Sequence, residues 1–294
     1  MTQTIFPDFE PLSRRFKRLT GSKVHTQKLF YFCGLKRSGL HAVSFWLLGH
    51  QANHAFINNK PAKQAGDGSP MVRTIQTSPL PLRLRVGDPV RICRDDQEQA
   101  FPLASEVDLL LILFQSQCLQ YLQAHEPLVA GVEAKDVRRI LLLRDPFNWA
   151  ASYMKKSQDP NDVNIWPGLW RMYAKEFLGI TNYLPRKVSI NYNRWFVDQA
   201  YRQQISTQLG LAFTDQTLNV VSHHAGGSSF DQTNFDRGAQ QMAVAERWKD
   251  FSENPSYVKA FQQHLDIVEL AEHIFDFSPE LAEFAASLRR QPLC

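Results

Sequence analysis

The 294-residue sequence contains no run that approaches the roughly 18 consecutive apolar residues of a membrane-spanning helix. Its first residues, MTQTIFPDFEPLSRRFKR, lack the apolar core of a signal peptide, so the expectation is a cytoplasmic protein with no membrane span. Cysteine is scarce: Cys33, Cys93, Cys118 and Cys294 are scattered with no CxxC pair, which excludes a zinc or disulfide framework and fits reduced thiols. An excess of one sign of charge is also lacking. A net charge of +4, without a stripe of basic and aromatic residues, gives no reason to expect nucleic acid as a partner. Internal repeats and low-complexity segments are absent. What remains is 44% hydrophobic and 12% aromatic, enough for one α/β domain spanning residues 1–294, with an irregular insertion at about 53–105.

The most informative stretch is residues 28–48, KLFYFCGLKRSGLHAVSFWLL. Residues 29–32 are apolar without alternation, as in a strand covered on both faces of a parallel sheet. Leu40, Val43 and Leu47, with Trp46 beside them, then mark one face of a helix. A loop between a buried strand and a helix start presents backbone N–H groups at the positive end of the helix dipole, and so suits a phosphate or sulfate. Gly34 and Gly39 let the backbone approach an anion, Ser38 offers a hydroxyl, and Lys36 and Arg37 bring two positive charges. The structural alternative is a helix start with Ser38 as N-cap and Gly39 in a tight turn.

The loop is not a Walker A motif, which needs lysine and then a hydroxyl residue directly after its second glycine. Leu40 and His41 stand there instead, so the anion is expected to be held without a metal.

Residues 1–27 read as a polar lead-in, with Arg14, Arg15, Lys17 and Arg18 on a solvated face. Residues 53–96 are rich in Pro, Gly and Gln, and are expected to be the least regular part of the chain and to contribute to acceptor recognition. Within them LRLRVGDPVRICR reads as a hairpin turning at residues 87–89. Residues 107–114, VDLLLILF, read as a second buried strand, followed by a helix to about residue 123. In RRILLLRDPFNWAASYMKK, residues 138–156, a strand over 140–143 runs into Arg144-Asp145-Pro146. Asp145 is placed to N-cap a helix with Pro146 at its first position. Arg144 then sits at the carboxyl end of a strand, where ligands bind in open parallel sheets, and its planar fork suits a second phosphate. Ser152 lies two helical turns on, within reach of the same group. The local alternative is an Arg144–Asp145 pair with a solvent-facing Ser152.

With both stretches in view, the chain resembles the sulfotransferases that use 3′-phosphoadenosine 5′-phosphosulfate (PAPS). Their first motif, a basic residue followed by Ser-Gly on a strand-loop-helix, is matched by Arg37-Ser38-Gly39, and it wraps the 5′-phosphosulfate. Their second, an arginine at a strand end with Pro two later and Ser eight later, is matched by Arg144, Pro146 and Ser152, and it holds the 3′-phosphate. GLKRSGLH is most similar to a bacterial branch with the pattern Gly-x-x-Arg-Ser-Gly-x-His. The resemblance extends to residues 187–213, where Val188, Ile190 and Tyr192 alternate as a strand and a helix ends in Leu-Gly-Leu. It implies Tyr192 near the adenine, with Asn193 where the family usually has an acidic residue; the core reading of Tyr192 stays open. Residues 226–251 resemble the family's C-terminal loop, which implies that Arg237, Gly238, Arg247 and Trp248 close over the 3′-phosphate and adenine. Farther on, Val258, Phe261, Leu265 and Val268 form one apolar helical stripe and Leu281, Phe284 and Leu288 another, both read as packing.

The resemblance implies a P-loop-like, three-layer α/β fold with a central, mostly parallel sheet flanked by helices. It also implies a PAPS-dependent sulfotransferase acting on a small-molecule, lipid or glycan acceptor. Arg37 with Lys36 would stabilise charge on the leaving phosphate, and His41, with His50 and His54 behind it, is the candidate base. Gly34, Lys36, Arg37, Ser38, Gly39, Leu40, His41, Arg144, Ser152, Tyr192, Arg237, Gly238, Arg247 and Trp248 make up the expected cofactor site, with no metal. Two other classes stay open: a P-loop kinase with Asp145 as magnesium ligand, and a nucleotide-binding scaffold without turnover.

Overall fold

The computed structural model describes residues 23–59, 82–83, 86, 89–94, 97–124, 129–155, 166–219 and 242–290. Strand β1 (Val24–Gly34) is the middle one of five parallel strands in a seven-stranded sheet. It pairs in parallel with β6 (Glu106–Gln115) on one side and with β8 (Val132–Leu143) on the other. Outside β6 lies parallel β2 (His54–Asn59), and outside β8 lies parallel β9 (Val188–Asn191). The chain therefore fills the positions on one side of β1 before crossing to the other, and the strand order reverses around β1. Crevices for ligands form at such a reversal, beyond the carboxyl ends of the strands.

The lack of alternation in β1 has a direct structural counterpart. Leu29, Tyr31 and Cys33 enter one hydrophobic core, while Phe30 and Phe32 enter the other. Full burial of a phenylalanine contributes on the order of 2–3 kcal/mol, so both faces hold the strand in place. One core lies under α1 (Leu40–Leu48), α5 (Tyr192–Val197) and α6 (Gln199–Gln208). The opposite core lies under α2 (Leu119–Ala124), α3 (Pro146–Met154), α4 (Trp166–Phe177), α7 (Pro255–Gln262), α8 (Leu265–Glu272) and α9 (Pro279–Arg290). Helix, sheet and helix make three layers, an α/β fold with five parallel strands at its centre.

Two expectations change. First, the two ends of the expected hairpin, residues 82–83 and 89–94, do not pair with each other: β4 (Pro89–Arg94) pairs antiparallel with β5 (Gln97–Pro102), with Arg94 opposite Gln97, and residues 87–88 lie outside the described residues. Pro89 opens β4, the strand position where a missing N–H costs least. Leu82–Arg83 instead forms β3, paired with β7 (Val129–Ala130). Of residues 53–105, the described parts include β2, β4 and β5, which join the main sheet. Second, the stripe from Val258 to Val268 belongs to two helices, because His264 departs from helical geometry (φ −136°) between α7 and α8. The lead-in with Arg14, Arg15, Lys17 and Arg18 lies outside the described residues. Among the described residues, no helix is long and apolar enough to cross a membrane.

Candidate functional site

The register places four strand ends at one level: Gly34 lies opposite Gln115 of β6 and Leu142 of β8, and Leu143 lies opposite Asn191 of β9. The loop of residues 35–39 leaves β1 here and enters α1. The N–H groups of the first turn of α1 have no intrahelical acceptor and point back toward this edge. Gly39, at φ +86°, is the residue before the helix, a left-handed conformation that glycine adopts without penalty. Space also demands glycine there, since a Cβ would fall 2.1 Å from Cε2 of Tyr192. At Gly34 a Cβ would meet Leu40 Cδ2 at 2.4 Å.

Ser38 is fully buried, and its hydroxyl donates to the Leu35 carbonyl at 2.6 Å. Its proton is therefore used within the loop rather than held out to an anion. Leu40 packs into the core, so any part it plays in ligand binding is through its backbone. Lys36 is exposed. Arg37 is half-buried and takes φ +76°, uncommon for a residue with a side chain. Burial, and then the neighbouring charge of Arg247, lower the pKa of the Arg37 guanidinium. Two cations held close together in a partly buried place favour a bound anion.

The second stretch forms as its residues dictate. Asp145 accepts from the Asn148 N–H at 2.8 Å and Pro146 occupies the first turn of α3. Arg144, 2% exposed, leaves the end of β8 and reaches across the edge. It donates to the Arg37 carbonyl at 3.3 Å, to Ser152 Oγ at 3.2 Å and to the Val244 carbonyl, and lies 5.4 Å from the Tyr192 ring centroid. Arg247 also donates to Ser152 Oγ, at 3.0 Å. One buried hydroxyl oxygen thus accepts from two guanidinium groups, while its own proton goes to the Asn148 carbonyl at 2.7 Å. Asp145 is engaged elsewhere: its oxygens accept from Asn148 Nδ2 at 3.1 Å and Asn193 Nδ2 at 2.8 Å.

Arg37, Gly39, Arg144, Ser152, Tyr192 and Arg247 are therefore neighbours, although they span more than two hundred residues of sequence. Tyr192 follows β9 rather than ending it, and it opens α5 with its ring stacked on Trp195 at 5.7 Å. It is buried in the core, and its ring also lies against Gly39 and Arg144. Trp248 turns the other way: its ring stacks on Phe284 at 5.0 Å within the core, and its backbone N–H donates to Asn148 Oδ1 at 3.2 Å. Arg237 and Gly238 lie outside the described residues.

His41 is in the first turn of α1, its ring 6.3 Å from Phe45 and 6.5 Å from Phe56. His50 and His54 are at the opposite edge of the sheet, because α1 runs back across it and His54 opens β2 at its amino end. His50 is tied to the Trp46 carbonyl at 2.8 Å and Ser206 Oγ at 3.0 Å, and His54 to the Gln51 carbonyl at 2.6 Å. Neither reaches the strand ends. Among the described residues no group of three or more His, Cys, Asp or Glu is arranged to hold a metal ion.

Two contacts with the loop were not visible in the sequence. Ser116, just past β6, accepts from the Lys36 N–H at 2.9 Å, and Trp149 of α3 donates from Nε1 to the Lys36 carbonyl at 2.7 Å. A serine after an apolar run and a tryptophan in an apolar helix carry no signal for this.

Comparison with known proteins bears on the fold. No family model matches the sequence, and no curated protein matches it. Among solved structures, the chain is similar to the sulfotransferase domain of the olefin synthase from Synechococcus PCC 7002, with a TM-score of 0.53 and 16% identity, over 88% of this chain and 99% of that one. The protein has a sulfotransferase-like α/β fold.

Proposed function

We propose that the protein is a sulfotransferase that moves a sulfuryl group from PAPS to a hydroxyl or amine of a small-molecule, lipid or glycan acceptor, without a metal. The observation that carries this reading is the meeting of Arg37, Arg144, Ser152 and Arg247 at the carboxyl edge of the sheet, joined through the Arg144–Arg37 contact of 3.3 Å. Two anionic groups of one nucleotide need two cationic sites a fixed distance apart, and the loop and the Arg144 cluster are two such sites.

The donor supplies an activated phosphosulfate. In the transfer its sulfur–oxygen bond breaks, a new one forms to the acceptor, and the bisphosphate nucleotide departs. Lys36, Arg37 and the first N–H groups of α1 hold positive charge where negative charge grows on the departing phosphate. Arg144 and Arg247 bind the 3′-phosphate, with the Ser152 hydroxyl oxygen holding both guanidinium groups in place for it, and Tyr192 forms a wall for the adenine. His41, at the same helix start, takes the acceptor proton.

A kinase reading would need Asp145 as magnesium ligand, and its oxygens are occupied by the amide groups of Asn148 and Asn193. Mass spectrometry of nucleotide released from the purified, denatured protein tests the choice. Recovery of 3′-phosphoadenosine 5′-phosphate supports the sulfotransferase reading, and recovery of ATP or ADP alone argues for the kinase.

A further inference from the structure

The Lys36 peptide is gripped from both sides. Its N–H donates to Ser116 Oγ at 2.9 Å, and its carbonyl accepts from Trp149 Nε1 at 2.7 Å. The next carbonyl, of Arg37, accepts from Arg144 at 3.3 Å. These side chains come from the ends of the two strands flanking β1 and from the helix after one of them, so the sheet register itself sets the grip. Ser116 is anchored in turn, its N–H donating to the Gly34 carbonyl at 2.8 Å.

Backbone strain collects at this point. Among the described residues three non-glycines have positive φ, and two of them, Arg37 at 76° and Ser116 at 51°, flank the gripped peptide. Such conformations cost on the order of 1–3 kcal/mol each and persist where surrounding contacts over-determine them. For Ser116 the hydroxyl contact is one such contact, and for Arg37 the Trp149 and Arg144 contacts on either side of it are others.

We infer that Ser116 and Trp149 are positioning residues: by holding the Lys36 peptide from both sides, they keep the strained Arg37 turn in the one conformation that presents its charge and the helix start to the 5′-anion. Neither touches the ligand; both act through the loop. The assignment rests on the proposed nucleotide site for the identity of the anion, but the grip itself concerns the loop alone. Pre-organisation of this kind raises affinity because the loop no longer loses conformational freedom on binding.

The test uses the full chain and two probes, inorganic pyrophosphate for the loop alone and 3′-phosphoadenosine 5′-phosphate for the whole site, each titrated calorimetrically. Ser116→Gly relieves the positive φ but lacks the acceptor, whereas Ser116→Asn tolerates that φ and supplies a side-chain oxygen. Trp149→Phe keeps most of the ring and loses the N–H donor. Loss of one such hydrogen bond should weaken both probes roughly three- to tenfold in Ser116→Gly and in Trp149→Phe, with Ser116→Asn recovering most of it. Ser116→Gly should unfold at a temperature no lower than wild type, which separates the effect from a general loss of stability. If wild type binds both probes and the variants bind them equally well, the positioning role is wrong and the nucleotide site stands. If wild type and variants follow the expected pattern with pyrophosphate while none binds the nucleotide, the grip stands and the nucleotide reading falls. If wild type binds neither probe, both are overturned.

Discussion

Arg144 donates to the hydroxyl of Ser152 at 3.2 Å, eight residues on, with both side chains buried at the carboxyl end of β8. The same guanidinium reaches the Arg37 carbonyl at 3.3 Å, so the two cationic sites are mechanically joined. Ligands with and without the 3′-phosphate separate what each site contributes. Arg144→Ala should cost 3′-phosphoadenosine 5′-phosphate on the order of 2–4 kcal/mol of binding, and adenosine 5′-phosphosulfate only the part, about 1 kcal/mol, that passes through the Arg37 carbonyl. Ser152→Ala should cost roughly 1–2 kcal/mol, confined to the ligand with the 3′-phosphate. Equal weakening of both ligands in a folded variant would make the Arg144–Ser152 pair structural.

Gly39 is required by φ and by space at once. Gly39→Ala places a methyl at φ +86°, worth about 1–2 kcal/mol by itself, and drives it 2.1 Å from the Tyr192 ring. Urea unfolding should show a larger loss than the backbone part alone. Combining it with Tyr192→Ala should give a total smaller than the sum of the two single losses, because the second substitution removes the obstacle to the first. Full additivity would mean that the ring is not what excludes the side chain.

His50 gives a pH dependence of known sign. Burial pushes its imidazole below the ordinary 6.5, so the folded chain binds this proton less tightly than the unfolded chain. Stability from this group is complete above pH 6.5 and falls as pH drops from there toward the folded value. In His50→Gln that part of the slope is absent. The stability gap between wild type and variant, read from urea unfolding at pH 7.5 and pH 5, should narrow on acidification; a gap that widens would contradict the assignment.

The local structure of the two stretches that make up the candidate site was legible in the sequence because each is local. Gly34 to His41 and Arg144 to Ser152 each combine a strand end, a turn residue and a helix start within a few positions, and the Asp145 cap with Pro146 formed as its residue types require. The first half of β8 was not legible. Its VEAKDVRR stretch lies at the amino end of the sheet, where side chains are half-exposed and carry charge, with Asp136 at 3.4 Å from Lys28. The partner of residues 82–83 was not legible because Gly-Asp-Pro is a strong local turn signal pointing to residues 89–94, whereas the strand they pair with, β7, lies far along the chain. Contacts between distant residues leave no local mark. The resemblance implied that Arg247 and Trp248 act together, yet Arg247 faces Ser152 while the next side chain, Trp248, packs on Phe284. A short 3₁₀ helix, Arg247–Phe251, sets those opposite directions, and residue types alone do not reveal it.

The central claim is that this edge binds a nucleotide carrying both a 5′- and a 3′-phosphate, without a metal. Calorimetric titration of the full chain with 3′-phosphoadenosine 5′-phosphate in the presence of a chelator, set beside a titration with Mg-ATP, tests it most directly. The expected result is saturable one-to-one binding of the bisphosphate, weakened in Arg144→Ala by roughly 30- to 1,000-fold, with Mg-ATP at least an order of magnitude weaker than the bisphosphate for want of the 3′-group. Tight binding of Mg-ATP with no response to the bisphosphate would contradict it.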